Sequence, residues 1–119
     1  MYRDWPHAEG ELSRALGDIR VGAPETMKAF SGLARAALEP RALDTKTKEL
    51  LALGIAVATR CDGCIAFHAD AAGKAGATRD EIMDAMGMAI YMGAGPSVMY
   101  AAQAVEAFDQ FSARRQAAA

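Results

Sequence analysis

The sequence predicts an all-α protein that folds as one helical domain of about six helices over residues 1–119. Apolar residues recur at three- and four-residue spacing along most of the chain, and no segment shows the sustained alternation of a half-buried strand. Glycine, proline and capping residues divide this pattern into segments of ordinary helix length. The chain has the length of one domain, and it contains no linker long enough to separate two.

The first three helices are predicted from their apolar spacing and from the residues at their ends. Residues 8–21 form the first helix, which Gly22 ends, and Pro24 opens the second. Asp44 is the expected N-cap of the third. Because residues 50–58 are apolar on every side, we predict that the third helix is buried all round at the centre of the domain.

Three further helices are predicted in the second half of the chain. The fourth begins at about Asp62 and ends near Gly73. Thr78 and Glu81 have the spacing of a capping box, which predicts the start of the fifth. Residues 93–96, which end in a proline, are expected to break that helix.

The sixth helix is predicted to run from about Pro96 to Ala113, and residues 114–119 are expected to fray. The fifth helix is predicted to turn Ile82, Met83 and Met86 toward the core. Glycines within or beside the helices are expected where helix backbones approach closely.

Composition and charge exclude several function classes. Hydrophobic residues make up 52% of the chain, and the net charge of −2 leaves no basic stripe that would bind nucleic acid. The first residues lack the apolar segment of a signal peptide, and the longest apolar run, residues 50–59, is too short to span a bilayer. We therefore expect a cytoplasmic protein without nucleic-acid or membrane partners, and the high apolar content predicts a homo-oligomer.

Both cysteines and one of the two histidines lie within eight residues, in the segment 61–68. Cys61 and Cys64 form a Cys-x-x-Cys pair, which can close a small disulfide with little backbone movement. His68 follows Cys64 by four residues and Cys61 by seven, so the three share one face of the fourth helix. In a reducing compartment such a pair is typical of a catalytic or metal-binding site rather than of a structural disulfide.

These groups favour thiol redox chemistry. The free N–H groups and the dipole of a helix N-terminus stabilise a thiolate, which can attack a peroxide oxygen or a disulfide sulfur. A sulfenic acid on one cysteine condenses with the other thiol to a disulfide, and an external dithiol must then restore the pair. His68 is a candidate proton donor and acceptor, and Glu49 is a candidate partner for it. In an antiparallel helix pair these two lie about one turn out of register, a gap that a crossing angle or a water would close.

Two other interpretations of the cysteine pair stay open. A closed zinc site needs four ligands, and besides the cysteines only His68 and His7 are available. The cysteines are alternatively buried and inert, with His68 in a structural role. Covalent haem is excluded, because Ile65 stands where the haem-binding histidine would have to follow the second cysteine. We expect no metal and no organic cofactor.

With these residues the chain resembles the carboxymuconolactone decarboxylase superfamily, and more specifically its alkylhydroperoxidase D-like branch. The resemblance rests on Glu49, the Cys61–Cys64 pair that begins twelve residues later, and His68, together with the segment 89–97, and it covers residues 25–113. It implies an all-α fold with a helical hairpin core, assembled into trimers or hexamers. It also implies thiol-dependent peroxidase or disulfide reductase activity.

The resemblance further implies a role for each site residue. Cys64 would be the peroxidatic cysteine that forms the sulfenic acid, Cys61 would resolve it, and Glu49 and His68 would form a proton relay. Reasoning from the helix terminus alone favours Cys61 as the nucleophile. A lipoyl-bearing protein or a similar dithiol would be the reductant. The peroxidase branch carries a histidine where this chain has Gly63, so one acid–base group is missing and weak peroxidase turnover is expected.

We therefore predict an oxidoreductase that reduces hydroperoxides through a Cys61–Cys64 dithiol/disulfide cycle. A thiol–disulfide exchanger or redox sensor without sustained turnover is the alternative that keeps the same chemistry. A decarboxylase-like enzyme or a helical assembly without catalysis is the alternative that does not use it.

Overall fold

Five α-helices joined by short connections make up the computed structural model, which describes residues 1–119. The helices are α1 (Trp5–Gly22), α2 (Pro24–Leu38), α3 (Thr45–Ala58), α4 (Asp62–Lys74) and α5 (Arg79–Ala118). The predicted all-α fold class is confirmed. The helix count differs by one, because α5 spans both the predicted fifth and the predicted sixth helix, with a kink between them.

The difference in helix count comes from the segment around Pro96. α5 continues through residues 93–96 with one kink, at Ala94, whose backbone has φ 59° and ψ −147°. Proline cannot donate a helical hydrogen bond, and its ring clashes with the preceding turn, so a helix that contains it must bend. The break was predicted at the right place, because Ala94 is not helical and α5 therefore consists of two helical segments joined at a kink.

Side-chain caps fix the starts of the helices. Asp44 accepts a hydrogen bond from Thr47 N at 2.8 Å at the start of α3. Thr78 and Glu81 form both hydrogen bonds of the predicted capping box at the start of α5. α1 begins earlier than predicted, at Trp5, because the Asp4 carboxylate caps it.

The C-terminal end of α5 does not fray as predicted. The helix continues to Ala118. Arg115 Nη1 donates to Oδ1 of Asp70 at 3.0 Å and so fixes this end of α5 to α4.

The core lies where α3, α4 and α5 pack against one another, and α1 covers α4 and α5 from outside. The central position predicted for α3 fits this arrangement. The prediction that α3 is buried all round was wrong, because Leu51 and Ile55 are exposed. Together with Met88 and Met92 of α5 they line an open apolar groove of about 330 Å³ between the two helices. Met83, predicted to face the core, is exposed as well.

α2 has no buried residue, although its sequence is amphipathic. Phe30 and Leu33 are 60% and 63% exposed. The helix contacts only α1 and α3. Its apolar face is therefore largely uncovered within one chain. None of the five helices is long and apolar enough to cross a membrane.

Candidate redox site

Cys61 and Cys64 are joined by a disulfide at the N-terminus of α4, and their Cα atoms are 5.2 Å apart. Cys61 is the N-cap residue of the helix, and its Sγ accepts a hydrogen bond from Cys64 N at 3.2 Å. Both cysteines are half-buried. The sulfurs thus lie where the unpaired N–H groups and the dipole of α4 favour negative charge.

A tight reversal of the chain places the pair there. α3 ends at Ala58, and α4 begins at Asp62. Arg60, between them, has a φ of 59°, a left-handed backbone that residues other than glycine seldom adopt. Cys61 N donates to the carbonyl of Ala56 at 3.0 Å, which ties the start of the redox motif to the last turn of α3.

Glu49 and His68 meet between α3 and α4, with Glu49 Oε1 2.7 Å from His68 Nδ1. The Glu49 residue is only 6% exposed, whereas the imidazole of His68 is 31% exposed. The one-turn offset expected from an ideal antiparallel pair is closed by the packing of α3 against α4. The two helices therefore bring together residues that are 19 positions apart.

This contact assigns the histidine tautomer on chemical grounds. A carboxylate can only accept, so Nδ1 carries the proton that it shares with Glu49. Nε2 is then the nitrogen that is free to take up or release a proton.

The space beside Gly63, between the cysteines, is occupied by the end of a leucine side chain. A Cβ added there would lie 2.6 Å from Cδ2 of Leu12, a residue of α1. The histidine expected at this position by family resemblance is thus replaced by a glycine against which α1 packs. A larger side chain would have to displace Leu12.

The sequence pattern gave no indication of a second contact, made by the N-terminal residues. Arg3 Nη1 lies 3.0 Å from Oδ2 of Asp62, the other residue between the cysteines. Because the two are 59 positions apart, no helical spacing connects them. Only the path of the N-terminal segment over α4 and α5 reveals the pair.

Glu106 of α5 holds this N-terminal segment. Its carboxylate accepts hydrogen bonds from Tyr2 N at 2.6 Å, Arg3 N at 3.1 Å and the Trp5 indole at 2.9 Å. Burial opposes ionisation of Glu106, but these donors outweigh it and lower the pKa of the carboxyl group.

Residues 24–107 match the sequence model of the Carboxymuconolactone decarboxylase family. The chain belongs to this family. The match covers α2, α3 and α4 and most of α5, and it confirms the resemblance inferred from the cysteine motif. α1 and the residues before it lie outside the matched stretch.

Solved structures and curated sequences agree with this assignment. A carboxymuconolactone decarboxylase family protein from Legionella pneumophila, solved in its apo form, is 50% identical, with a TM-score of 0.88 over 91% of this chain and 96% of that one. A family member from Thermotoga maritima, described with a suggested role in the antioxidative response, is 28% identical, with a TM-score of 0.83 over 93% and 95%. An uncharacterised protein of Cupriavidus necator is 37% identical over 87% of this chain and 91% of its own length.

Proposed function

We propose that this protein is a thiol-dependent oxidoreductase that reduces hydroperoxides through a Cys61–Cys64 dithiol/disulfide cycle. The observation that carries the proposal is the disulfide at the start of α4, one helical turn before a histidine paired with a buried carboxylate. A redox-active pair and an acid–base pair thus occupy the same end of two packed helices. The suggested antioxidative role of the Thermotoga maritima relative is in line with this chemistry.

The proposed cycle has two oxidative steps. The Cys64 thiolate attacks one peroxide oxygen, the O–O bond breaks, and the leaving alkoxide takes a proton to become an alcohol. Cys64 is then a sulfenic acid. The Cys61 thiolate attacks its sulfur, the S–S bond forms, and hydroxide leaves and is protonated to water. The two thiols lose two electrons, and the peroxide gains them.

A dithiol reductant closes the cycle. One of its thiolates attacks the disulfide, its second thiol resolves the mixed disulfide, and the Cys61–Cys64 dithiol is restored. We propose a lipoyl group, free or protein-bound, as this reductant, since it carries two thiols that close an internal disulfide. Because the cycle needs a supply of reduced dithiol, we place it in the cytoplasm.

In this proposal His68 and Glu49 move the protons. Nε2 of His68 takes the proton from the attacking thiol and returns it to the leaving oxygen, while Glu49 fixes the ring and stabilises its charged form. Cys64 is one turn before His68 on the same helix face, which favours it as the residue that reacts first. The N–H that Cys61 Sγ accepts suits its role as the thiolate that resolves the sulfenic acid.

Peroxide consumption with dihydrolipoamide as reductant tests the proposal. We expect Cys64→Ser and Cys61→Ser each to abolish turnover. We expect His68→Ala to lower it about a hundredfold at pH 7, with a smaller loss for Glu49→Gln. His7→Ala is the matched control, because His7 is exposed on α1, and it should keep the wild-type rate. Wild-type turnover in both cysteine variants would refute the cycle.

The same assay separates the alternative functions. Rapid oxidation of the pair by one equivalent of peroxide, followed by no sustained turnover, would identify a redox sensor or thiol–disulfide exchanger instead. Release of CO₂ from a carboxylated lactone by protein with both thiols alkylated would identify a decarboxylase.

We also propose that the protein assembles from three or six copies of this chain. One chain exposes 7255 Å², whereas a folded monomer of 12.5 kDa is expected to expose about 6,200 Å². The excess of about 1,000 Å² is close to what one partner buries in a stable interface. The exposed apolar face of α2 and the groove between α3 and α5 are the surfaces that would be covered.

Light scattering after size exclusion tests the assembly. Leu33→Asp on α2 and Met92→Asp in the groove should each lower the oligomer mass, because each places a charge in an apolar contact. Lys28→Asp is the matched control on the other side of α2 and should leave the mass unchanged. A wild-type monomer at micromolar concentration would refute the proposal.

A further inference from the structure

Both residues between the two cysteines are contacted from the N-terminal segment, residues 2–12. Arg3 pairs with Asp62, and Leu12 packs against Gly63. Residues 1–23 lie outside the stretch that matches the family. These contacts therefore join the redox motif to a part of the chain outside the matched domain.

The backbone of this segment is anchored without the help of the Arg3 side chain. Trp5 is completely buried, and its backbone N–H donates to Gln110 Oε1 at 2.7 Å. Gln110 Nε2 in turn donates to the carbonyl of Arg3 at 2.7 Å, and Glu106 accepts from the N–H of Arg3. The Arg3 guanidinium also lies over the Trp5 ring, 4.9 Å from its centre. A fixed backbone and a buried ring thus direct the guanidinium to Asp62.

We propose that Arg3 is a positioning residue for the redox pair: its guanidinium holds and neutralises the Asp62 carboxylate, so that the thiolate forms without an unpaired negative charge beside it. The N-terminus of α4 favours a thiolate, but a free carboxylate in the same first turn repels it. Pairing with Arg3 offsets that repulsion. This role rests on the thiol function proposed above.

Arg3 is the one charged side chain near the cysteines that pairs with Asp62. Glu49 and His68 pair with each other. On α1, Glu11 pairs with Arg14 beside Leu12. Arg60, which precedes Cys61, takes part in no ion pair. Arg3 and Asp62 therefore form the ion pair whose loss leaves an unpaired carboxylate between the cysteines.

The test is the pH dependence of iodoacetamide alkylation in fully reduced protein, resolved for each cysteine by mass spectrometry. Below the thiol pKa and at low salt, we expect Arg3→Gln to slow alkylation about threefold, which is the effect of one carboxylate about a turn away in a solvent-like medium. Arg3→Lys should keep the wild-type rate, because it keeps the charge. In an Asp62→Asn background, Arg3→Gln should have no effect. Salt at 1 M should shrink the difference, since it screens exposed charges.

A matched control comes from the start of α5, which follows the C-terminal end of α4, whereas the cysteines lie at the N-terminal end of that helix, which is about 20 Å long. Arg79→Gln removes another exposed ion pair, with Asp109, and should leave alkylation unchanged. Equal slowing by Arg3→Gln in the presence and absence of the Asp62 carboxylate would overturn the proposal, as would an unchanged rate with Asp62 present. If the alkylation pattern holds in a protein that consumes no peroxide, the peroxidase proposal fails and the role of Arg3 stands. If turnover is intact and alkylation does not respond to the Arg3 substitutions, the role of Arg3 fails and the peroxidase proposal stands.

Discussion

Replacing Gly73 of α4 by alanine should destabilise this protein, although alanine is the better helix former. The space beside Gly73 is occupied by the guanidinium of Arg115, and a Cβ added there would lie 2.6 Å from its Cζ. Arg115 lies across the glycine because it reaches Asp70, whose Oδ1 is 3.0 Å from Nη1. A methyl group at position 73 therefore has to displace the arginine from a buried carboxylate.

The expected loss of stability in Gly73→Ala follows from the partners that Asp70 keeps. Asp70 keeps Lys74 at 3.2 Å and Arg114 at 3.5 Å, so it does not become an unpaired charge. Losing one charge-assisted hydrogen bond to a buried carboxylate costs about 1.5–3 kcal/mol. Exchanging glycine for alanine in a helix returns about 1 kcal/mol. The net loss is about 0.5–2 kcal/mol, which lowers the Tm by about 2–8 °C for a chain of this size.

The sign of the effect should reverse when Arg115 is absent. In an Arg115→Ala background the space is open, and Gly73→Ala should stabilise the protein by about 1 kcal/mol. Urea unfolding followed by circular dichroism, at fixed protein concentration and with the disulfide intact, measures both differences. Gly87→Ala is the control, because no atom lies within 4 Å of its Cβ position, and it should stabilise both backgrounds equally. The same sign for Gly73→Ala in both backgrounds would show that Arg115 moves without losing Asp70 and would refute the reasoning.

Three further predictions concern backbone strain and pH. Ala94→Gly should stabilise the protein by about 1 kcal/mol, because φ 59° and ψ −147° belong to a region adopted almost only by glycine; an unchanged or lower Tm would contradict this. Burial and the nearby Asp70 raise the pKa of Glu9 in the folded protein. The protonated form therefore stabilises the fold below the ordinary pKa of 4.5, and this stabilisation is lost as the pH rises through the folded-state pKa. Glu9→Gln should therefore be more stable than wild type at pH 7 and no more stable at acidic pH, as measured by urea unfolding; equal differences at both pH values would refute this. The pKa of Glu106 is lowered, so its linkage to stability has the opposite sign: the stabilisation by its ionised form is present above pH 4.5 and is lost on acidification. The fluorescence emission of Trp5, the only tryptophan, should therefore shift to the red in acid. A shift that persists in Glu106→Gln would contradict the assignment.

Features that depend on local spacing could be predicted from the sequence. Cys61 and Cys64 are three residues apart, so their approach at a helix start needs no information about the rest of the fold. The Asp44 cap and the Thr78–Glu81 capping box depend in the same way on residues within one turn. These predictions agree with the structure because helix geometry alone determines them.

Contacts between distant segments could be predicted only in part. Glu49 and His68 were singled out by residue type and by family resemblance, but helix rise alone left them a turn apart, and the packing of α3 on α4 closes that distance. The Arg3–Asp62 pair could not be predicted at all. It depends on where the N-terminal segment crosses α5, which no periodicity in the sequence describes.

The errors about burial have one physical cause. Leu51, Ile55 and Met83 were predicted to be buried, and all three are exposed in a single chain. An apolar stripe indicates that a surface is to be covered, but the hydrophobic effect does not distinguish a cover from the same chain from one supplied by another copy. The prediction of burial within one chain was wrong for these residues, and the proposal that another copy covers them rests on the same principle.

The two buried carboxylates near the ends of α4 illustrate how the surroundings decide function. Asp70 is held by three cations, Lys74, Arg114 and Arg115, so its charge is already balanced and a change in its protonation would break the contacts that close the C-terminal end of the fold. Glu49 has one partner, the imidazole of His68, which is neutral until it takes up a proton. The charge of Glu49 is therefore available to stabilise a proton arriving at His68. On this ground we propose Glu49, and not the similarly buried Asp70, as the carboxylate that serves proton transfer beside the disulfide.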